Sequence, residues 1–418
     1  MSTPSAAGGR SPWFPALADP QIRVYLLGQS VSILSTWVLE ITLNLLVWQL
    51  TQSPATLGVL NFLLYGPMVV ITPLLSSRLN VANVRRIALT VLAATLVVAL
   101  LLAGAALLHV LTVPLLLMAA GARGVLAGVE VPSRQMLLTY LPQDGEQLGS
   151  ALAMNTVVYV VARMVGPAIA AFAFEPLGPV AAFAFSIAAL GFMCRCVSRL
   201  HLKQPQTGAA EPVSSGFRGA LAFVRQDGFA SLMMPVMVCL SLCANAYQTI
   251  VPVLADRAFG DASRWTGWFY AASSLGALAA AGLLSSRHAE HLSSRLLMAA
   301  PWFSAISLAL IGGAGSPFWA AAVFVLLGFC TSFSATATNA GLHRRGPPHA
   351  RGGLIGLFLM GFTGIGPVAQ LLAGALAQVL PIGQALYVLS GMLAVCLLLL
   401  YGRRWLQLGR VEMDVARL

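Results

Sequence analysis

The sequence predicts an all-α integral membrane protein whose twelve transmembrane helices form two six-helix pseudo-repeats. Three observations lead there. The chain of 418 residues is 58% hydrophobic and 9% charged, whereas a soluble domain carries about a quarter charged residues. Its apolar residues fall into twelve runs long enough to cross a bilayer, which takes about 20 residues each. Short motifs then recur at matching places in the first six runs and the last six.

Taken in order, residues 1–21 are polar and rich in Pro, Gly and Ser, without the apolar core of a cleavable signal. They read as a tail, and the first span reads as a retained signal-anchor. Spans follow at 22–50, 54–76, 84–108, 113–140, 148–174 and 177–198, which make an N-terminal bundle over 22–198. Residues 199–228 form the longest connection. It carries Gln204-Pro205-Gln206-Thr207-Gly208 and then an amphipathic stretch from Gly216 to Asp227 with Phe217, Leu221, Phe223 and Val224. That stretch is expected to lie along the membrane surface with Arg218 and Arg225 toward headgroups. A second bundle over 229–403 holds spans at 229–253, 264–285, 293–313, 316–341, 351–377 and 381–403, and residues 404–418 form a tail.

Cations set the orientation, because Lys and Arg near helix ends are retained in the cytoplasm. Of the 24 Lys and Arg, Arg123 and Arg163 fall inside spans and Arg257 and Arg264 lie on an odd-numbered connection. The rest lie in the tails, in even-numbered connections or at the span ends that adjoin them. Both termini are therefore expected in the cytoplasm, with the chain in a bacterial inner membrane. The net charge of +11 is explained by the anionic inner leaflet, so no nucleic-acid partner is implied.

Composition also excludes whole classes of chemistry. The six cysteines, Cys194, Cys196, Cys239, Cys243, Cys330 and Cys396, sit in or beside apolar runs and lack the spacing of a disulfide framework or a zinc site. No Gly-x4-Gly-Lys-Ser/Thr loop is present, so ATP is not the energy source. The six histidines are scattered, and no nucleophile constellation exists. No cofactor, metal or enzymatic activity is expected.

The internal repeat rests on three echoes. Leu74-Leu75-Ser76-Ser77-Arg78 closes the second span and Leu283-Leu284-Ser285-Ser286-Arg287 the eighth; Gly166-Pro167 in the fifth matches Gly366-Pro367 in the eleventh; and Val125-Leu126-x-Gly128 in the fourth matches Val325-Leu326-x-Gly328 in the tenth. All fall at equivalent helices. Two parallel repeats of this kind place a substrate site near the midplane between the halves.

Function is written in the charges that lie inside spans. Glu40, Arg123, Glu130 and Arg163 each cost roughly 2.5 to 3.5 kcal/mol at bilayer depth, so they must be paired, wetted or used. Trp37, Glu40, Asn44 and Trp48 share one face of the first span. A carboxyl shielded there can exchange a proton near neutral pH, as proton coupling requires; the competing role is a structural partner for Arg123 or Arg163. Arg123, Ala127, Glu130 and Arg134 form a stripe on the fourth span. Glu130 lies one turn from Arg134, and an intrahelical pair competes with a second coupling role. Arg123 is a candidate contact for an anionic substrate, against an internal ion pair. Arg163 precedes Gly166-Pro167 by one turn, as anchor of the interface or as ligand. In the second half Asn245, Gln248 and Asn339 add polar groups without charge, and Tyr65, Tyr159, Tyr247 and Trp268 are candidate aromatic walls.

Three segments stand out: Leu27-Gly28-Gln29-x-x-Ser32 with Trp37, Val131-Pro132-Ser133-Arg134-Gln135, and Asn155 to Arg163 leading to Gly166-Pro167. With them, nearly the whole chain resembles the major facilitator superfamily, and within it the branch of enterobactin-type siderophore exporters. The resemblance implies the major facilitator fold. Ala153, Ala162, Gly166, Pro167, Ala170 and Ala171 occupy the spacing of the family's antiporter motif, which is associated with export, with alanines in place of most of its glycines. The family's Gly-x3-Asp-Arg loop signature reads here Pro73-x3-Ser77-Arg78, with Arg85-Arg86 displaced, so the acid of the family's cytoplasmic latch is missing. Arg78, Arg134, Arg287, Gly366 and Pro367 complete the expected gating positions.

These readings converge on a secondary active exporter working by alternating access and proton antiport, with a siderophore as substrate. Trp37, Asn44, Arg123, Tyr159, Arg163, Asn245 and Gln248 are the expected substrate contacts, with Glu40 and Glu130 carrying protons. Partners are a small molecule, protons and the bilayer, with room for a periplasmic or outer-membrane export partner. The alternatives are efflux of lipophilic cations with Glu40 as the recognition charge, a nutrient importer, a lysophospholipid flippase, or a transport-dead sensor.

Overall fold

The computed structural model describes residues 15–76, 79–142, 145–202, 216–244, 246–285, 289–347 and 351–405. Among them the chain is helical, with no strands. A 3-10 turn, Pro15–Ala18, leads into α1 (Pro20–Thr51), α2 (Pro54–Ser76), α3 (Val84–Leu107), α4 (Val113–Thr139) and α5 (Gly145–Ser198). The connection holds α6 (Gly216–Gln226). Then come α7 (Gly228–Ala244), α8 (Tyr247–Phe259), α9 (Ala262–Ser285), α10 (Ala289–Gly312), α11 (Pro317–Arg345), α12 (Arg351–Phe362), α13 (Gly366–Val379) and α14 (Ile382–Trp405).

Eleven helical stretches are long and apolar enough to cross a membrane, and the one over Gln147–Ser198, at 52 residues, suffices for two crossings. That is the expected twelve. The fifth and sixth spans meet at Gly178, whose φ of 69° and ψ of 177° lie in a region open almost exclusively to glycine. Pro176 and Pro179 flank it, so the chain reverses there. The most enclosed spans are the first and the seventh, at equivalent places in the two halves.

Starts and stops follow local chemistry. The Asp19 carboxylate accepts from the Gln21 backbone N–H at 2.7 Å, ahead of Pro20 at the first position of α1. This is an N-cap followed by the one helical position where proline loses nothing. Gln52, left-handed at φ 49°, ends α1.

Two spans differ from their expected form. The seventh, read over 229–253, comprises α7 and α8 and runs on to Phe259. The eleventh, read as one helix over 351–377, is interrupted at 363–365, and Gly366-Pro367 opens α13. Proline at the start of a helix is pre-organised, whereas the backbone before it resists continuing one. The matching Gly166-Pro167 lies inside α5 instead.

The repeat is visible in the packing. A Cβ built on Gly128 would lie 2.8 Å from the Ile71 side chain, and one on Gly328 would lie 1.9 Å from the Ser273 carbonyl. The same position thus seats α4 on α2 and α11 on α9, helices that have no room for a methyl group between them. The halves meet through α2 with α13 and through α5 with α9. At the end bearing the α1–α2 turn, Gly58 faces Gly374, the Ser53 hydroxyl donates to Gln378 Oε1 at 3.0 Å, and Ser263 donates to the Ala171 carbonyl at 2.5 Å. The α6 helix packs on α12 and α7, with Phe223 and Val224 against the core and Arg225 exposed. The Gln204 to Gly208 segment lies outside the described residues.

Candidate functional site

One face of α1 carries Tyr25, Gln29, Ser32, Thr36, Glu40 and Asn44 at steps of three or four residues, a continuous polar stripe on a helix otherwise buried among apolar side chains. The α4 stripe packs against its first half. Glu130 stands between two arginines, with Arg123 Nη1 3.1 Å from Oε2 and Arg134 Nη2 2.5 Å from Oε1, and all three side chains are buried. Removing one carboxylate and two guanidinium groups from water is costly unless their hydrogen bonds are satisfied. α1 supplies most of those bonds, while Arg134 Nε is left without a partner among the described residues. Arg134 Nη2 donates to Ser32 at 2.7 Å and Nη1 to Gln29 at 3.4 Å, while Tyr25 donates to the Arg134 carbonyl at 2.6 Å. Arg123 Nη2 reaches the Thr36 hydroxyl oxygen at 3.5 Å.

Deeper along the stripe, Glu40 is buried and its Oε2 accepts from the Tyr65 hydroxyl at 2.6 Å. Among the described residues it forms no ion pair, so the expected structural pairing with Arg123 or Arg163 is not the arrangement found. Arg123 has Glu130. Arg163 rests its guanidinium carbon 5.9 Å from the centroid of the Trp37 ring and donates to the Tyr247 hydroxyl oxygen at 3.4 Å, across the boundary between halves. Gly166 permits this approach of α5 to α1, since a Cβ there would lie 2.5 Å from the Trp37 Cβ.

Tyr159 and Arg163, one turn apart on α5, are both exposed although they face the interior helices. Arg163 reaches the second half through its bond to Tyr247. Asn155, one turn before Tyr159, is buried with its Oδ1 unpartnered. The far wall comes from the second half. Tyr247 packs 5.9 Å from Tyr270 between ring centroids, Tyr270 donates to the Gln248 carbonyl at 3.3 Å, and Gln370 donates to Gln248 Oε1 at 2.7 Å.

Several expected residues have different employment. Asn44 spends both amide hydrogens, on the Glu40 carbonyl at 2.9 Å and on Asn61 Oδ1 at 3.2 Å, so it positions helices and has no donor left for a substrate. Trp268 is exposed and meets Phe172 edge-on at 5.9 Å. It stands beside an apolar groove of about 740 Å³ lined by Met164, Phe172, Pro176 and Leu275 among others, outside the polar site. Gly366 and Pro367 form a helix start, while Gly166 and Pro167 form a close contact. Asn245, Arg78 and Arg287 lie outside the described residues. Asn61, Thr249, Tyr270 and Gln370 were missed by sequence reasoning. Asn61 was findable as a polar residue one turn from Tyr65 on α2. Nothing distinguishes Thr249 from other threonines in spans.

Two packed sets of helices with charged and tyrosine side chains between them are the build of a membrane transporter. The Major Facilitator Superfamily profile matches residues 25–369, and the chain belongs to that family. Among solved structures it is similar to the nucleoside transporter NupG, at 11% identity over 92% of this chain and 99% of that one with a TM-score of 0.70. An auto-inhibited POT family peptide transporter is similar at 13% identity over 92% and 97%, TM-score 0.65. The human organic anion transporter MFSD10 (TETRAN) is similar at 14% identity over 91% and 100%, TM-score 0.56. No curated protein sequence matches the chain.

Proposed function

We propose that this chain is a proton-coupled exporter of an anionic, polyoxygenated small molecule of the siderophore type. It works by alternating access in a bacterial inner membrane, with both termini in the cytoplasm. The observation that carries this reading is the charge balance of the interior. Three arginines, Arg123, Arg134 and Arg163, stand against two carboxylates, Glu40 and Glu130, and Glu130 is already held by two of the arginines. A surplus of positive charge beside Tyr159, Trp37 and Tyr247 suits an anion with many oxygens, which guanidinium and phenol groups recognise by directed hydrogen bonds.

Glu40 is the proton carrier in this account. It is buried, it forms no ion pair among the described residues, and its hydrogen bond is to a neutral phenol, so it can change charge without breaking a salt bridge. Glu130, pinned by two guanidinium groups, cannot. The halves over 22–198 and 229–403 move about the site, joined by the connection over 199–228. One proton moving inward across about 150 mV yields roughly 3.5 kcal/mol, enough for a few-hundred-fold outward gradient if the substrate's movement adds no opposing charge.

The second reading is efflux of a lipophilic cation, and Glu40 as an unpaired acid favours it. A deletion strain grown in low iron decides between them. It should retain siderophore in its cells, secrete less, and recover with the wild-type gene but not with Glu40→Gln. Normal secretion, with other exporters also removed, overturns the siderophore assignment and leaves cation efflux.

A further inference from the structure

Beyond Glu40, the α1–α2 seam holds a second polar rung. Asn44 and Asn61 exchange amide hydrogen bonds, Asn61 Nδ2 donating to Asn44 Oδ1 at 2.8 Å and Asn44 Nδ2 to Asn61 Oδ1 at 3.2 Å. Asn44 lies one turn from Glu40 on α1, and Asn61 lies one turn from Tyr65 on α2. The two rungs are therefore neighbours, and Asn44 ties them by also donating to the Glu40 carbonyl at 2.9 Å.

The second rung reaches across to the other half. Asn61 Nδ2 lies 3.1 Å from the Leu57 carbonyl and 3.3 Å from the Thr249 hydroxyl oxygen on α8. All of these side chains are buried. A side-chain amide has two hydrogens, whereas Asn61 faces three acceptors. Two of them, Asn44 Oδ1 and the Leu57 carbonyl, belong to its own half and stay with it through any rigid movement. The bond to Thr249 is the longest of the three and the surplus one. It can be made and released without orphaning a buried donor on the N-terminal half, where a lone unpaired amide would be costly.

We propose that the Asn61 to Thr249 hydrogen bond is a releasable clasp between the halves, and that Asn61 and Thr249 are positioning residues which join the Glu40 rung to closure of the end bearing the α1–α2 turn. The clasp rests on the transporter reading and is independent of which substrate moves. A cross-half ion pair would be strong enough to freeze one state. A neutral, shared hydrogen bond holds that end together while leaving both states populated.

The test reads the closure of that end directly. Ser53→Cys and Gln378→Cys, placed where Ser53 and Gln378 now touch across the halves, are cross-linked with a short bis-methanethiosulfonate, each thiol displacing methanesulfinate to form a disulfide, in a full-length chain whose six native cysteines, all free among the described residues, have been replaced. Thr249→Val keeps the shape of the side chain and removes the acceptor. It should lower the ratio of bridged to separated molecules about fivefold, the effect of one neutral hydrogen bond, and Thr249→Ser should restore it. Unchanged cross-linking in a folded Val variant overturns the clasp. Equal loss in Val and Ser also overturns it, because packing and not the hydroxyl would then be responsible. Transport by Glu40→Gln is measured alongside: normal proton-coupled transport there removes Glu40 as carrier without touching the clasp, and a clasp failure leaves the Glu40 assignment standing.

Discussion

The two halves are built on one plan and solve different problems. In the N-terminal half the interior is charged, and α1 to α4 each run unbroken. In the C-terminal half the groups facing the site are neutral, Gln248, Thr249, Tyr270 and Gln370, with Arg257 crossing to Trp48 and the Gln52 carbonyl at the end bearing the α1–α2 turn, and the eleventh span is jointed between α12 and α13. The same Gly-Pro pair makes a helix contact at Gly166 and a helix start at Gly366. Buried charge demands a fixed frame, because a guanidinium that loses its partner in hydrocarbon has no water to fall back on. Neutral hydrogen bonds cost less to exchange, so the jointed half can move against them. On the proposed function, this division puts recognition and coupling in the first half and motion in the second.

The largest effect that tests this division is on Glu130. Glu130→Gln leaves Arg123 and Arg134 buried without a counter-charge, and the loss of stability should be about 3 to 5 kcal/mol, read as a fall in thermal unfolding temperature in detergent. A change under about 1 kcal/mol would show that water reaches the pair and that the frame is not held by charge.

A smaller effect is expected at Arg123. Glu130 keeps Arg134 at 2.5 Å, so Arg123→Lys and Arg123→Gln should both fold. The ammonium cannot reproduce the planar two-pronged bond to an oxyanion, and substrate affinity should fall about tenfold in Lys and roughly a hundredfold in Gln. Equal affinity in all three forms would place Arg123 in the frame alone. The smallest effect belongs to the second half. Gln370→Leu removes a neutral bond to Gln248 and an unpartnered buried oxygen together, so stability should shift by about 1 kcal/mol or less. A loss comparable with that of Glu130→Gln would erase the contrast between the halves.

How far the sequence discloses all this varies with the size of the physical penalty. Twelve crossings are legible because hydrocarbon admits only long apolar runs, whereas the break between the fifth and sixth, expected at 175–176, falls at Gly178. The interior charges are legible for the same reason, since each is too costly to be idle. Their pairing is only half legible. The Arg134 to Glu130 pair follows from one-turn spacing, but Arg123 closing on Glu130 two turns away depends on α1 holding both arginines from the side. Asn61 and Thr249 leave almost no trace, because a neutral polar group in a span costs little and many serve only packing. The joint at 363–365 is hidden by the likeness of Gly366-Pro367 to Gly166-Pro167: proline both starts helices and bends them, and the neighbouring helix decides which.

The central claim is that Glu40 carries the coupled proton from within the charged half. It is tested most directly in energised inside-out vesicles, comparing substrate accumulation by wild type and Glu40→Gln at equal amounts of folded protein. Gln preserves the shape of the side chain and a hydrogen bond to Tyr65 while removing the titrating proton. Accumulation should collapse to the level of passive equilibration in Glu40→Gln, with substrate still bound. Wild-type accumulation by the variant would contradict the account.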